Sequence, residues 1–154
     1  MTHVSAARRL YLMVEEGHLV RLQTPNMESA AVLFADFQGH HRSVPVVLGV
    51  GDYAGALLLS YEAARKAAQA LLLIHGYRVP NIEGAHRFTF EAAGWLVSGA
   101  AKRAIVDAQY LRAERNNNMY REARVTAQDA QEAHRIIEDL AEHVGPELAR
   151  LLQS

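Results

Sequence analysis

The clearest regularity in the chain is the spacing of its apolar residues. Leu10, Met13 and Val14 stand at i, i+3 and i+4, and charged residues at positions 8, 9, 15 and 16 lie on other faces. This spacing places apolar side chains on one face of an α-helix, whereas a half-buried strand would alternate. Similar spacing predicts six helices, at residues 5 to about 17, 25 to about 42, 53 to about 75, 85 to about 99, 101 to about 113 and 127 to 144.

Helix-breaking residues separate these segments. Residues 44–50 include Pro45 and Gly49, and we interpret them as a connector, because no partner strand is evident for the short strand that they could form. Residues 77–84 are predicted to form a loop. Three consecutive asparagines follow the helix at 101–113, and their short amides compete for backbone hydrogen bonds. The helix should therefore end there, bend there, or be held by tertiary contacts.

Capping residues support the predicted starts and ends of the longest helices. Asp52 is a good N-cap for the helix at 53–75, and Gly76 is its natural C-cap. The segment from Thr126 to Asp129 is close to a capping box for the last helix. Gly145-Pro146 is expected to kink that last helix, because proline lacks the backbone N–H that a helix uses.

Length and composition agree with a helical protein. The chain has 154 residues, of which 50% are apolar, 21% charged and only 7% aromatic, and alanine is abundant. These values are typical of a globular domain and favour helices over strands. We therefore predict an all-α fold, an up-and-down bundle of about five to six helices that forms one domain over residues 1–154.

Several classes of chemistry and location are disfavoured. The chain has no cysteine, which rules out disulfides and thiolate metal sites. His40 and His41 are adjacent, so on a helix they point about 100° apart, and no metal or other cofactor is expected. The apolar stretches, such as residues 70–74, are too short to span a membrane, and no signal sequence is evident. A cytoplasmic protein without membrane contact is expected.

Charge is unevenly distributed although the net charge is only −1. Residues 102–125 carry six basic and three acidic groups, a net charge of +3, and residues 126–154 carry two basic and six acidic groups, a net charge of −4. Any attraction for a polyanion should therefore be local. A solvated basic face remains the alternative. The basic residues are Lys102, Arg103, Arg112, Arg115, Arg121 and Arg124.

One polar run in this basic region is the best candidate for chemistry. A guanidinium beside amide donors can bind a phosphodiester, and a phenol can form a hydrogen bond. In a regular helix Arg115 and Tyr120 lie about 140° apart, whereas Asn116 and Tyr120 share a face. A symmetric dimer could bring two copies of the run together, and a solvent-facing helix end is the alternative. The run is Arg115, Asn116, Asn117, Asn118, Met119 and Tyr120.

This pattern resembles the HEPN superfamily of helical domains, whose signature is an arginine, a polar residue that is often asparagine, a short gap and a histidine. Arg115 and Asn116 match the start of the signature, and Tyr120 stands at the place of the histidine. Residues 59–68, with Gly76, Tyr77, Arg78 and His86 after them, also resemble the second half of the first hairpin of such a domain. The resemblance covers about residues 28–142.

The resemblance implies a helical bundle that dimerises, so that two Arg-Asn motifs face one cleft. Many such domains are metal-independent ribonucleases, often toxins, and others bind RNA or nucleotides, or partner a nucleotidyltransferase. Arg115 would stabilise the phosphorane, with Asn116 and Tyr120 as the other catalytic candidates. An unperturbed phenol titrates near pH 10, about three units above neutrality, so Tyr120 is a poor base.

Further basic residues complete the expected site. We expect Arg112, Arg121 and Arg65 to contact the substrate, although an arginine in an alanine-rich helix is more often an ion-pair group. His86 is expected to be structural. The resemblance is compatible with two functions. One is a dimer that binds or cleaves RNA or a nucleotide, as a toxin-like component would, and the other is a non-catalytic helical module that docks a partner such as a nucleotidyltransferase.

Overall fold

The computed structural model describes the backbone of residues 5–120 and 124–154, and the side chains of residues 5–112 and 124–154. Most of this structure is helical, which confirms the predicted all-α fold. Its seven helices are α1 (Ala6–Glu15), α2 (Met27–Gly49), α3 (Tyr53–Ile74), α4 (Ala85–Trp95), α5 (Gly99–Tyr120), α6 (Ala127–His143) and α7 (Gly145–Gln153). Two short strands, β1 (Val20–Arg21) and β2 (Tyr77–Arg78), pair with each other.

The alanine-rich helix α3 lies at the centre of the fold, as its sequence predicts. It packs against α2, α4, α5, α6 and α7. Small side chains let helices approach closely on several sides, because interaxial distance depends on the side chains at the contact. The Asp52 carboxylate accepts a hydrogen bond from the Gly55 amide at 2.9 Å, and Gly76 follows the helix with a φ of +84°. The fully buried alanines of α3 include Ala63, Ala64, Ala67, Ala68 and Ala70.

Helix α2 extends beyond its predicted end near Arg42. It continues through Pro45 to Gly49, so the connector predicted at residues 44–50 was wrong. Proline inside a helix removes one backbone hydrogen bond and costs about 3 kcal/mol. Here Val44 is fully buried while Pro45 is exposed on the outer side. The packing of Val44 against the core offsets the lost bond and keeps this turn helical.

The two strands were not predicted. Val20 pairs with Arg78 and Arg21 with Tyr77 in an antiparallel ladder, so the loop predicted at residues 77–84 begins with a strand. A strand of two residues is too short to show an alternating pattern in the sequence. The ladder fixes the chain after α1 to the chain after α3. Leu19, directly before β1, is buried against this side of the bundle.

Helices α4 and α5 also differ from their predicted bounds. Helix α4 ends at Trp95 rather than near Gly99, because Gly99 has a φ of +59° and begins α5. Helix α5 runs to Tyr120 instead of ending near Ala113. Intrinsic helix propensity determines where a helix ends only weakly, and tertiary packing can override it. The stripe that packs α5 on the core consists of Ala104, Ile105, Ala108 and Leu111.

Helix α6 begins as predicted. The Thr126 hydroxyl accepts a hydrogen bond from the Asp129 amide at 3.1 Å, and the Asp129 carboxylate accepts one from the Thr126 amide at 2.9 Å, which completes the capping box. Helix α6 ends at His143, and Pro146 stands in the first turn of α7. The last predicted helix is thus divided at Val144 rather than only kinked, which accounts for the seventh helix. The predicted inner face of α6 is fully buried, at Ala130, Ala133, Ile137, Leu140 and Val144.

A shared carboxylate links α2 to α6 at the surface. The Nε2 atoms of His41 and His134 lie 2.8 and 3.0 Å from the same oxygen, Oε1 of Glu138. Partial burial raises the pKa of Glu138, but the hydrogen bonds and charges of the two imidazoles outweigh it, so the pKa lies below its ordinary value. The ionised carboxylate is therefore stabilised in the folded state. Among the described helices, none combines the length and the apolar character needed to cross a membrane.

Replacing Ser60 with alanine should stabilise the protein. The Ser60 hydroxyl is fully buried in α3 and has no hydrogen-bond partner among the described residues. Removing an unsatisfied buried hydroxyl should raise the free energy of unfolding by about 1 kcal/mol, measured by urea denaturation. Ser43→Ala on α2 is the matched control, because that exposed hydroxyl donates to the Gly39 carbonyl. Equal gains in both variants would show that helix propensity alone is responsible.

Replacing Glu138 with glutamine should cost stability in a pH-dependent way. Because the folded-state pKa is lowered, the stabilisation is complete above the ordinary value of 4.5 and is lost as pH falls through the folded-state value. The free energy of unfolding of Glu138→Gln should therefore fall below that of the wild type by more at about pH 5.5 than at about pH 3.5. Glu142→Gln, an exposed change on the same helix, should show a much smaller difference at either pH. A pH-independent effect of Glu138→Gln would contradict this interpretation.

Candidate functional site

The predicted catalytic run falls at the end of α5. The bounds of this helix include Arg115, Asn116 and Tyr120, but their side chains lie outside the described residues. Arg121 also lies outside the described residues. Their mutual geometry, and with it the predicted meeting of two runs across a dimer, therefore remains a prediction. The described parts of the candidate site are Arg112 and Arg65 with their surroundings.

Arg112 is a cation at the edge of the core. It follows the buried residue Ala108 by one helical turn, and its Nε atom is buried. Among the described residues, that atom has no hydrogen-bond partner, and no carboxylate forms an ion pair with the guanidinium. A guanidinium keeps its charge at any physiological pH and presents five N–H donors. The guanidinium of Arg112 therefore carries a positive charge at the edge of the core.

Arg65 lies on α3 and is only partly paired. Its Nη2 atom donates a hydrogen bond to Oε2 of Glu62 at 2.7 Å, while its buried Nε atom has no partner among the described residues. The ion pair that is common for an arginine in such a helix is therefore present. It uses one of the five N–H donors of Arg65, and a single carboxylate leaves donors of the guanidinium available.

Arg65 also borders a cavity of about 380 Å³, which we call the α3–α4 pocket. Arg65 and Arg78 are the cationic members of its lining, and no aspartate or glutamate is among them. Gln69 and Asn81 add side-chain amides. The other lining residues are Leu33, Leu72, Leu73, Tyr77, Val79, Pro80, Ala85, His86 and Thr89.

A different local structure positions each side of the α3–α4 pocket. Arg65 and Gln69 are one turn apart on α3, so they share a face. The pairing of β2 with β1 fixes the backbone of Arg78. Gly84, with a φ of +81°, precedes α4 without a side-chain cap, and the first turn of α4 borders the pocket. Uncapped amides and the helix dipole favour negative charge at such a terminus.

A buried tyrosine is hydrogen-bonded to His86. The hydroxyl of Tyr61, which is fully buried on α3, lies 2.6 Å from Nδ1 of His86 in the first turn of α4. The Tyr61 ring also contacts Phe90, with ring centroids 6.2 Å apart. A buried phenol normally requires a hydrogen-bond partner. The bond joins α3 to the start of α4 and gives His86 the structural role expected of it.

Comparison with known proteins places these residues in a family. The family model described as the HEPN domain matches residues 45–146. This chain belongs to the HEPN family. The matched region contains α3 to α6, the polar run of α5 and nearly all of the α3–α4 pocket, whereas the resemblance in the sequence covered about residues 28–142. Comparisons with curated proteins and with solved structures gave no match.

A second cavity of this HEPN protein, of about 420 Å³, lies between α5 and α6. Asp107, Asp129 and Glu132 border it, and the one arginine in its lining is already engaged. Arg135 donates to Glu132 at 2.6 Å and to Asp139 at 2.8 Å. An anionic ligand would meet three carboxylates and no uncommitted arginine among the described lining residues, so the α3–α4 pocket is electrostatically better suited to it.

The sequence pointed to only part of the α3–α4 pocket. Arg65 was expected to contact a substrate, but Gln69, Asn81 and Thr89 were not singled out, because they belong to no local motif and meet only through tertiary packing. The described residues contain no group of three histidine, aspartate or glutamate side chains that could hold a metal ion.

Replacing Tyr61 with phenylalanine should measure the bond between α3 and α4. Loss of the hydroxyl removes the hydrogen bond to His86 from a fully buried position, and the free energy of unfolding should fall by about 1 kcal/mol in urea denaturation. Tyr11→Phe is the control, because Tyr11 is exposed on α1. An unchanged midpoint for Tyr61→Phe would show that the bond contributes no net stability.

Proposed function

We propose that this HEPN protein binds RNA as a dimer through the second half of α5. The residues that would contact the phosphates are Arg112, Arg115, Asn116 and Arg121. The observation that carries the proposal is the guanidinium of Arg112, which stands at the core edge without a carboxylate partner among the described residues. A cation without a described carboxylate partner is available to a phosphate, and this one stands three residues before Arg115 of the family's Arg-Asn motif.

The spacing of the cationic and amide residues supports a single binding face. Arg115 and Asn116 follow Arg112 by three and four residues, the steps that bring helical residues onto one side. The segment at residues 102–125 has a net charge of +3 in a chain whose net charge is −1. Local positive charge steers a polyanion to one part of a nearly neutral protein.

A dimer would complete the site. Within one helix Arg115 and Tyr120 are about 140° apart, so one copy would not aim both at the same phosphate. A twofold axis beside α5 would supply Arg115 from one protomer and Tyr120 from its partner.

Metal-independent cleavage at this site would be slow. It would proceed by attack of the 2′-hydroxyl oxygen on phosphorus, with loss of the hydroxyl proton. The bond from phosphorus to the 5′-oxygen would break, that oxygen would take up a proton, and a 2′,3′-cyclic phosphate would remain. Arg115 would stabilise the phosphorane, and Tyr120 is the candidate for proton transfer. A phenol of ordinary pKa is a poor base at neutral pH. Binding is therefore the principal proposed activity, and cleavage is secondary to it.

Docking of a partner protein, such as a nucleotidyltransferase, is the second candidate function. The observation that favours it is an apolar pair on α5, Val106 and Tyr110, which are one turn apart and each about half exposed. Large exposed apolar residues on one helix face are typical of protein interfaces. A stable hetero-complex in which Arg115→Ala has no effect on RNA would support this candidate over the first.

Replacing Arg115 with alanine should weaken RNA binding by about tenfold or more, because one charge-assisted hydrogen bond contributes about 1.5–3 kcal/mol. The measurement is fluorescence anisotropy with a single-stranded RNA at about 50 mM salt, where phosphate contacts are strongest. The slope of log affinity against log salt should also fall in magnitude by about 1.

Arg42→Ala is the matched control, because it removes the same charge from an exposed position on α2. It should leave the affinity nearly unchanged, and circular dichroism should show both variants folded. Failure of the wild type to bind RNA at low salt, or equal losses in the two variants, would refute RNA binding at the motif. A monomer in sedimentation at the binding concentration would refute the shared cleft.

A further inference from the structure

The α3–α4 pocket has the chemistry of a ligand site that the proposed RNA-binding motif does not use. Its volume of about 380 Å³ is within the range of small-molecule sites. One part of its lining is basic, with Arg65, Arg78 and the uncapped start of α4. Another part is apolar, with Leu72, Leu73, Val79 and Pro80. A ligand that fits both parts carries a negative charge on one side and a flat or apolar group on the other.

The basic residues differ in how firmly they are engaged. Arg65 is held by Glu62, which orients its guanidinium and neutralises part of its charge. Arg78 forms no ion pair with any described carboxylate, although its backbone is fixed by the β1–β2 ladder. Because the backbone of Arg78 is fixed and no described carboxylate holds its guanidinium, the side chain can bind a phosphate through two N–H donors at once. A lysine could not reproduce this bidentate geometry. Arg78 is therefore the main anion-binding residue of the pocket.

The remaining polar groups suit a nucleobase. Gln69 and Asn81 each offer an amide donor and an amide acceptor, which can bind the edge of a base. None of the described lining residues is a carboxylate, and the adjacent Glu62 is paired with Arg65. Together these features select a phosphorylated nucleoside over a sugar phosphate or an inorganic anion.

We propose that the α3–α4 pocket binds a nucleoside 5′-monophosphate group, with Arg78 and Arg65 on the phosphate and with Gln69 and Asn81 on the base. Such a group exists both as a free nucleotide and as the 5′ end of an RNA chain, and the pocket chemistry is the same for the two. The group recognised in this pocket, a terminal phosphate, differs from the phosphodiester proposed to bind at Arg115. A doubly charged terminal phosphate is the feature that it recognises.

Calorimetric titration of the full chain with adenosine 5′-monophosphate tests the proposal. The nucleotide should bind. Adenosine and inorganic phosphate should each bind with an affinity lower by about tenfold or more, because each lacks half of the contacts. Arg78→Ala should weaken nucleotide binding by about tenfold, and Arg78→Lys should restore only part of it. No binding by the wild type, or equal affinity for adenosine, would overturn the proposal.

Arg21→Ala is the matched control, because Arg21 is exposed on the neighbouring strand and borders a different cavity. It removes the same charge from the same ladder and should leave nucleotide affinity unchanged. Both variants should keep the urea midpoint of the wild type, since both side chains are exposed. Equal losses in Arg21→Ala and Arg78→Ala would overturn the assignment to the pocket.

A second arm separates the two sources of the ligand and the two proposed sites. A 5′-phosphorylated RNA and the same RNA with a 5′-hydroxyl are compared. A preference for the 5′-phosphate that Arg78→Ala abolishes assigns the pocket to RNA ends, and nucleotide binding without such a preference assigns it to free nucleotide. Arg115→Ala should weaken both RNAs equally and leave nucleotide binding intact, so each site can fail without the other.

Discussion

The structure depends on the burial of one helix on nearly every side. Five helices pack on α3, and twelve of its 22 residues are buried, most of them alanine or leucine. A helix so enclosed has little room for charged or long polar side chains, which must reach solvent through gaps between its neighbours. Arg65, Lys66 and Gln69 occupy such gaps, and Lys66 reaches Asp36 of α2 at 3.4 Å. The polar openings of the bundle are thus a consequence of its central packing.

The distribution of ion pairs separates two kinds of arginine. Arg135 and Arg150 lie in the acidic segment at residues 126–154, and both donate hydrogen bonds to carboxylates on their own helices. Arg78 and Arg112 have no carboxylate partner among the described residues. Arginines of the first kind stabilise helices and screen negative charge. Those of the second kind leave positive potential at the surface, where an external anion can supply the missing partner.

The sequence predicted the helical class, the central helix and the caps at Asp52 and Thr126, because these features depend on local spacing and local hydrogen bonds. It failed where distant packing decides the outcome. Pro45 indicated a break, but the burial of Val44 keeps α2 helical. The two-residue strands were too short to be recognised.

The same limit applies to the candidate site. The Arg-Asn motif could be found in the sequence, because its residues are adjacent and the HEPN resemblance depends on them. The α3–α4 pocket could not, because its polar lining comes from α3, β2, the following loop and α4. Gln69 and Asn81 stand twelve residues apart with no shared pattern. A site built from such separate segments becomes visible only when the chain is folded.

The two-residue ladder has a consequence for how such a site can vary in evolution. Strand β2 lies inside the region that matches the HEPN domain, but its partner β1 lies before that region begins. The backbone that carries Tyr77 and Arg78 is therefore supported by a segment that does not belong to the matched domain. Changes in such an N-terminal segment could shift or release this wall without any change in the bundle. Ligand preference could then diverge between HEPN proteins whose central helices remain the same.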